Sequence, residues 1–390
     1  MKKLLTFIKK EAVLCAALLL AVLSAFVIPP DREYAGYIDY RTLAILFSLM
    51  SVMAGLQKLG LLHRIAQGLL GRVKSRRGLI LILVLLCFFS SMLITNDVAL
   101  ITFVPFTFTV LGMMGEEQRC KLVLPLIAMQ TIAANLGSML TPIGNPQNLY
   151  LYGKAEVSIG EFVWLMLPYT LLSLLLLTGW ALILGGGGRG RLEPRQISGM
   201  SLESGESGES GKTAILRLVV YLTLFGLCLL AVAHVLPWQA ALAAVLVTVS
   251  VTDRKVLRKV DYSLLLTFVG FFIFIGNMGR IPVFRDFLQN VVTGRETYAA
   301  VAASQIISNV PAALLLSGFT DNYRGLIIGT NLGGLGTLIA SMASLISYKY
   351  VAKEEGGRKG AYIGIFTVSN LVFLVVLLIF DGIMSKMLRI

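Results

Sequence analysis

In the stretch CFFSSMLITNDVALITFVPF, Cys87 to Phe106, Asn96 and Asp97 sit in otherwise apolar surroundings. A carboxylate at the centre of a bilayer costs about 2.5–3.5 kcal/mol on the insertion scale, so an amide and an acid there need a chemical reason. Three other stretches share the property. IISNVPAAL holds Ser308, Asn309, Val310 and Pro311; NLGSMLTPIGNPQN holds Asn135, Gly137, Thr141, Pro142, Gly144, Asn145 and Asn148; NLGGLGTLIAS holds Asn331, Gly333, Thr337 and Ser341. A helix interrupted within a membrane exposes N–H and C=O groups that lipid cannot satisfy, so it is tolerated only against protein or a water-filled cavity. Half-helix N-termini favour an anion, while free carbonyls and the oxygens of Asn, Ser, Thr or Asp suit a small cation. Four interruptions are expected, at Thr95–Asp97, Ser308–Pro311, Thr141–Asn148 and Thr337–Ser344. Two alternatives stay open: Asp97 as an N-cap for the following helix, and NLGGLG as close helix packing through small residues.

The elements that must position these residues are membrane helices. Of 390 residues, 56% are hydrophobic and 14% charged, with a mean hydropathy of +0.81, more apolar than a soluble core requires. The net charge of +13 falls in short clusters between apolar runs, such as HRIAQGLLGRVKSRR and DRKVLRK, which argues for topology and against a nucleic-acid partner. The expected fold is all-α and polytopic in the lipid bilayer. Nine spanning helices are expected near 11–29, 42–60, 121–152, 161–185, 213–235, 238–252, 262–280, 323–350 and 360–384. Two re-entrant hairpins are expected at 78–115 and 297–320. Residues 78–94 and 97–114 are also long enough for two ordinary spans, but the arms around Asn309 are roughly half a bilayer each.

The basic clusters place the N-terminus in the cytoplasm and the C-terminus outside the cell (inner) membrane. The first apolar run, Ala12 to Ile28, is longer than a signal-peptide core and reads as a retained helix. Four scattered cysteines suggest neither a disulfide frame nor a thiolate metal site. GESGESGKT lacks the first glycine of a phosphate-binding loop, and no HExxH motif is present, so an enzyme is not expected.

The chain divides into a first repeat (1–185), a flexible cytoplasmic linker rich in Gly, Ser and Glu (186–212), a connecting helix (213–236) and a second repeat (237–390). Asp39-Tyr40 matches Asp261-Tyr262 before a spanning helix. An amphipathic stretch follows in each half, then ITNDVA matches ISNVPA, and the stretch from Asn135 aligns without gaps on that from Asn331. One unpaired crossing between the repeats inverts the second relative to the first.

The Asn-centred tips, the paired Asn-Leu-Gly helices that break and the TPIGNPQN stretch together resemble the ion transporter superfamily of divalent anion/sodium symporters, citrate transporters and arsenite permeases. The resemblance covers Tyr37 to Asp381. It implies a secondary active transporter of a small anion, a carboxylate or inorganic oxyanion, coupled to Na⁺ or H⁺ by alternating access. It further implies no other cofactor and a homodimer. Asn96 and Asn309 would take the paired asparagine role, with Ser308, Thr141 and Gly137 nearby and Na⁺ held by Asn96, Asp97, Gly137 and Asn309. Where the dicarboxylate branch reads Ser-Asn-Thr, these tips read Thr-Asn-Asp and Ser-Asn-Val. Asp97 repels a dianion unless protonated or neutralised by a cation, and an Asn-Asp tip is similar to that of arsenite permeases and sodium/proton antiporters. A passive channel, with a continuous polar pore, is the alternative of another class.

Overall fold

The computed structural model describes residues 11–71, 73, 75–187 and 211–387. No β-strand occurs among them, and seven of the described helices are long and apolar enough to cross a bilayer. The chain is an all-α polytopic membrane protein. Most of the expected linker, 188–210, lies outside the described residues.

In chain order the first half comprises α1 (Ala12–Val27), α2 (Tyr40–Lys58), α3 (Leu61–Leu70), α4 (Arg76–Leu93), α5 (Asn96–Gly112), α6 (Glu116–Ser138), α7 (Pro146–Ala155) and α8 (Ile159–Leu184). Next come α9 (Gly211–Val232) and α10 (Trp238–Thr252). The second half follows as α11 (Tyr262–Gly279), α12 (Pro282–Val292), α13 (Glu296–Ile307), α14 (Asn309–Ser317), α15 (Tyr323–Leu332), α16 (Met342–Glu354) and α17 (Lys359–Met387).

Local sequence sets the helix ends. The aspartates of the two Asp-Tyr pairs are N-caps: Asp39 accepts from Thr42 N at 3.0 Å and Asp261 from Leu264 N at 2.9 Å, each cap contributing about 1 kcal/mol. Ser158 and Glu161 form a capping box at α8. Between α6 and α7 the chain is non-helical over 139–145, where Pro142 and Gly144 fall. Pro146 takes the first position of α7, where its missing N–H costs no bond. The interruption expected at Thr141–Asn148 therefore ends earlier, and Asn148 is helical. Its counterpart covers 333–341 rather than Thr337–Ser344, because Met342 and Ser344 belong to α16.

Six of the nine expected spans are among the seven long apolar helices. Helices α1 and α10 are shorter, at 16 and 15 residues, and the run 323–350 is divided into α15 and α16. The seventh is α4, whose 18 residues reach about 27 Å; length alone does not make it a half-membrane arm. Arms α13 and α14, with 12 and 9 residues, reach only about 18 and 14 Å.

Helices α4 and α5 pack on α6, while α13 and α14 pack on α15. The helices after the breaks cross over: α7 lies against α14 and α15, and α16 against α5 and α6. Helix α1 runs parallel to α11, with Ser263 donating to Glu11 near one end and Asn277 donating to Ser24 Oγ at 2.9 Å near the other. Helices α9 and α10 pack on α2, and the Lys58–Asp253 ion pair joins α2 to the end of α10.

After α11, Arg280 Nη1 donates to Asp31 Oδ2 at 2.6 Å. This bond holds the Asp31 carboxyl below the usual carboxylate range. A depressed carboxylate contributes stability above its ordinary pKa of about 3.9 and loses it as the pH falls through the depressed value. The melting-temperature gap between the wild type and Asp31→Asn should therefore be constant from about pH 7 to 5 and narrow below about pH 4. A gap unchanged on acidification would show that the ion pair does not stabilise the fold.

Candidate functional site: two tips and two breaks

Equivalent hydrogen bonds pin each hairpin tip to the break of its own half. Asn96 N donates to Gly144 O at 3.2 Å, and Asn309 N to Ala340 O at 3.0 Å. Thr141 Oγ1 donates to Met92 O, and Thr337 Oγ1 to Gln305 O at 3.2 Å. Asn145 and Ser341 are the N-cap residues of α7 and α16. Residues aligned by sequence thus make the same contacts.

At each tip the asparagine closes the turn onto the next amide. Asn96 Oδ1 accepts from Asp97 N at 2.9 Å, and Asn309 Oδ1 from Val310 N at 3.0 Å. The capping alternative for Asp97, accepting from amides near Leu100, is corrected: Asp97 lies inside the first turn of α5, whose N-cap is Thr95, and its Oδ1 has no hydrogen-bond partner. The tips differ in backbone. Thr95 is extended, at φ −65°, whereas Ser308 has φ 74° and ψ 155°, a conformation that costs a non-glycine residue about 1–3 kcal/mol and persists only where its surroundings impose it.

Buried amides join the halves. Asn96 Nδ2 donates to Asn135 Oδ1 at 2.9 Å, which also accepts from Ser341 Oγ at 3.0 Å; Asn135 Nδ2 reaches Gly334 O at 3.4 Å. Asn331 Nδ2 donates to Asn148 Oδ1 at 2.7 Å. Asn148 Nδ2 in turn donates to Ser138 O and Thr141 O at 3.3 and 3.2 Å, satisfying carbonyls left free where α6 ends. Asn96, Asn135, Asn145, Asn148, Asn309 and Asn331 are each at most 4% exposed. Close backbone approach requires glycine twice here: a Cβ on Gly137 would overlap the Phe88 carbonyl of α4, and one on Gly144 the Ser138 carbonyl. Gly333 lies similarly against Ser304.

Asp97 faces away from this network, into a cavity of about 170 Å³ between α2, the first tip and the starts of α7 and α11. Thr95, Asn145, Gln57, Lys259 and Asp261 also line it. Asn145 Oδ1, like Asp97 Oδ1, is buried without a hydrogen-bond partner. A second cavity of about 300 Å³ lies at the other tip, lined by Ser308, Val310, Pro311, Ser263 and Thr267, with Glu11 supplying the carboxylate that Val310 lacks. Asn96 turns to Asn135 and Asp97 to the cavity, Asn309 turns to Val310 N, and the Gly137 carbonyl is engaged by the amides that end α6. Among the described residues, no group of three or more His, Cys, Asp or Glu side chains is placed to hold a metal.

Two contributors were missed in the sequence. Gln305 donates from Nε2 to Gly333 O and Leu335 O at 3.1 and 2.9 Å and accepts from Thr337 N at 2.9 Å; its signal was an amide in an apolar arm, the one that identified Asn96. Ser138 Oγ accepts from Asn145 Nδ2 at 2.7 Å, and nothing in its apolar run sets it apart.

Comparison with known proteins agrees with this architecture. An inner membrane protein of Escherichia coli is 30% identical over 334 residues, 84% of each chain. An uncharacterized transporter of Methanocaldococcus jannaschii is 30% identical over 347 residues, 88% of this chain and 90% of its own. A silicon efflux transporter of Oryza sativa is 32% identical over 142 residues, 36% of this chain and 28% of its own. Residues 4–322 match the family model described as citrate transporter, and with tips, breaks and helices arranged as above, the chain belongs to the citrate transporter family.

Proposed function

We propose that the protein is a secondary active transporter, built from two inverted repeats, that moves a small carboxylate or inorganic oxyanion coupled to Na⁺ or H⁺ by alternating access. The observation that carries the reading is the cavity beneath the first tip. There Asp97 Oδ1 and Asn145 Oδ1 are buried acceptors without donors, and a buried acceptor left unmade costs about 1–3 kcal/mol. A cation or a proton at Asp97 relieves that cost and removes the charge that repels an anionic substrate. Asn96, Asn135 and Ser341 then form the polar wall shared by the two halves, and short arms α13 and α14 bring Ser308 and Asn309 to the break of the second half.

The same acid favours a second reading, arsenite-type efflux or cation/proton exchange, because acids line both tip cavities, Asp97 and Asp261 beside Lys259 at the first and Glu11 beside Lys349 at the second. Proteoliposomes loaded with candidate carboxylates and oxyanions, assayed with an imposed Na⁺ gradient, an imposed pH gradient or neither, separate the two. Gradient-dependent movement of an anion supports the first reading. Movement of Na⁺ against H⁺ with no anion supports the second, and no movement of any solute under either gradient removes both.

A further inference from the structure

The aspartates of the two Asp-Tyr pairs cap equivalent helices but are not used alike. Asp39 engages both carboxylate oxygens, Oδ1 accepting from Thr42 N at 3.0 Å and Oδ2 from Thr42 Oγ1 at 2.6 Å. Asp261 Oδ1 accepts from Leu264 N at 2.9 Å. Leucine stands at 264 where the first half has Thr42, so there is no hydroxyl for the second oxygen, and among the described residues no donor reaches Asp261 Oδ2.

Asp261 and Lys259 both line the Asp97 cavity and are exposed. Deeper in, Asn145 is 3% exposed, and its Oδ1, like Asp97 Oδ1, is buried without a partner. The cavity therefore has a charged mouth and a floor of unmet acceptors. Along α2 its wall runs from Leu46 to Gln57, about 17 Å at helical rise, and the next residue, Lys58, is paired with Asp253. A volume of about 170 Å³ has room for several waters and so for a partly hydrated small cation. The charged groups lining it are two carboxylates, Asp97 and Asp261, and one ammonium, Lys259.

We propose that Asp261 is the entrance carboxylate of a cation path, drawing a small monovalent cation, Na⁺ or H⁺, to the mouth of the cavity and on to Asp97 and Asn145. A cleft lined by one sign of charge raises the local concentration of the counter-ion. Lys259 offsets part of that attraction, so the ion can leave as well as enter. Asp261 belongs to the second half and Asp97 to the first, so a shift of α11 relative to the first tip separates mouth from floor and ties access of the ion to the relative position of the halves.

The probe is the cation alone, added to the full chain in detergent. Na⁺ is exchanged for choline at constant ionic strength and pH, and a separate series without Na⁺ covers about pH 5 to 9; an ion that binds the folded protein raises its melting temperature by mass action. The quantity compared is the concentration of Na⁺ or H⁺ that gives half the effect. Asp261→Asn keeps the cap, since asparagine caps as well as aspartate, and should melt like the wild type without the ion while needing at least about threefold more of it. Lys259→Gln removes the opposing charge and should need less. Asp39→Asn is the control: it disturbs its own cap more, losing the acceptor of the Thr42 hydroxyl, and should leave the half-effect concentration where it was. An unchanged value in Asp261→Asn, an equal rise in Asp39→Asn, or a rise in Lys259→Gln would each overturn the assignment. This role for Asp261 rests on the cation site at Asp97, and the two fail separately. If neither ion raises the melting temperature of the wild type, both fall, whereas an ion effect that Asp97→Asn abolishes and Asp261→Asn leaves intact removes Asp261 alone.

Discussion

Gly137→Ala is expected to destabilise the folded protein by about 1–3 kcal/mol, the cost of forcing an extra methyl into packed surroundings. The added Cβ meets the Phe88 carbonyl oxygen and Ser91 Oγ, and the first obstacle is backbone on a helix that also packs on α5 and α8. Relief requires α4 to move away from α6, which carries Met92 O away from Thr141 Oγ1 and the first tip away from its break. Melting temperature in detergent should fall, and ligand-dependent stabilisation should fall with it. Gly226→Ala is the control: nothing lies within 4 Å of its added Cβ in α9, and alanine gains up to about 1 kcal/mol in a helix interior. Equal melting temperatures for Gly137→Ala and the wild type would mean that the α4–α6 contact is not as close as described.

The second large effect concerns coupling. Asp97→Asn keeps the size of the side chain and removes its charge, leaving Asp261 and Lys259 as the charged groups lining the cavity. Gradient-driven transport should fall about 5–150-fold, the range of a coupling free energy of 1–3 kcal/mol, while the melting temperature stays near that of the wild type because Asp97 Oδ1 makes no bond to lose. The discriminating measurement is the pH and Na⁺ dependence of residual transport, which should flatten in the variant. A variant with wild-type rate and an unchanged pH profile would limit Asp97 to lining the cavity. Asn309→Ala is expected to act differently. Losing the Val310 amide bond beside strained Ser308 should reduce both stability, by about 1 kcal/mol, and transport, and a loss of transport with an unchanged melting temperature would show that Asn309 is not a structural clasp.

Residues that announce themselves by violating their surroundings were legible without coordinates. Asn96, Asn309 and the proline-glycine break of TPIGNPQN are polar or helix-breaking groups in apolar runs, and membranes tolerate those only where protein satisfies them. The Asp-Tyr pairs were visible as a repeat but not as N-caps, because a cap is defined by the amide three residues on. Break boundaries were misplaced by a few residues, since Pro146 reads as an interruption in sequence yet begins a helix in space. The part played by Gln305 and Ser138 depends on which carbonyls the breaks leave free, and that emerges only when α13 meets α15 and α6 meets α7. Helix length bears on the first hairpin as well: α4, at 18 residues, is long enough to span, as the alternative of two ordinary spans expects.

The crossed packing of α7 on α14 and α15, and of α16 on α5 and α6, makes each half a fragment. A polypeptide ending after α8 would have a tip and a break but no partner for α7, whose Asn148 and Tyr150 bond to Asn331 and Ser317. Each half therefore needs the other beside it before its contacts are complete, and neither is expected to be stable when expressed alone.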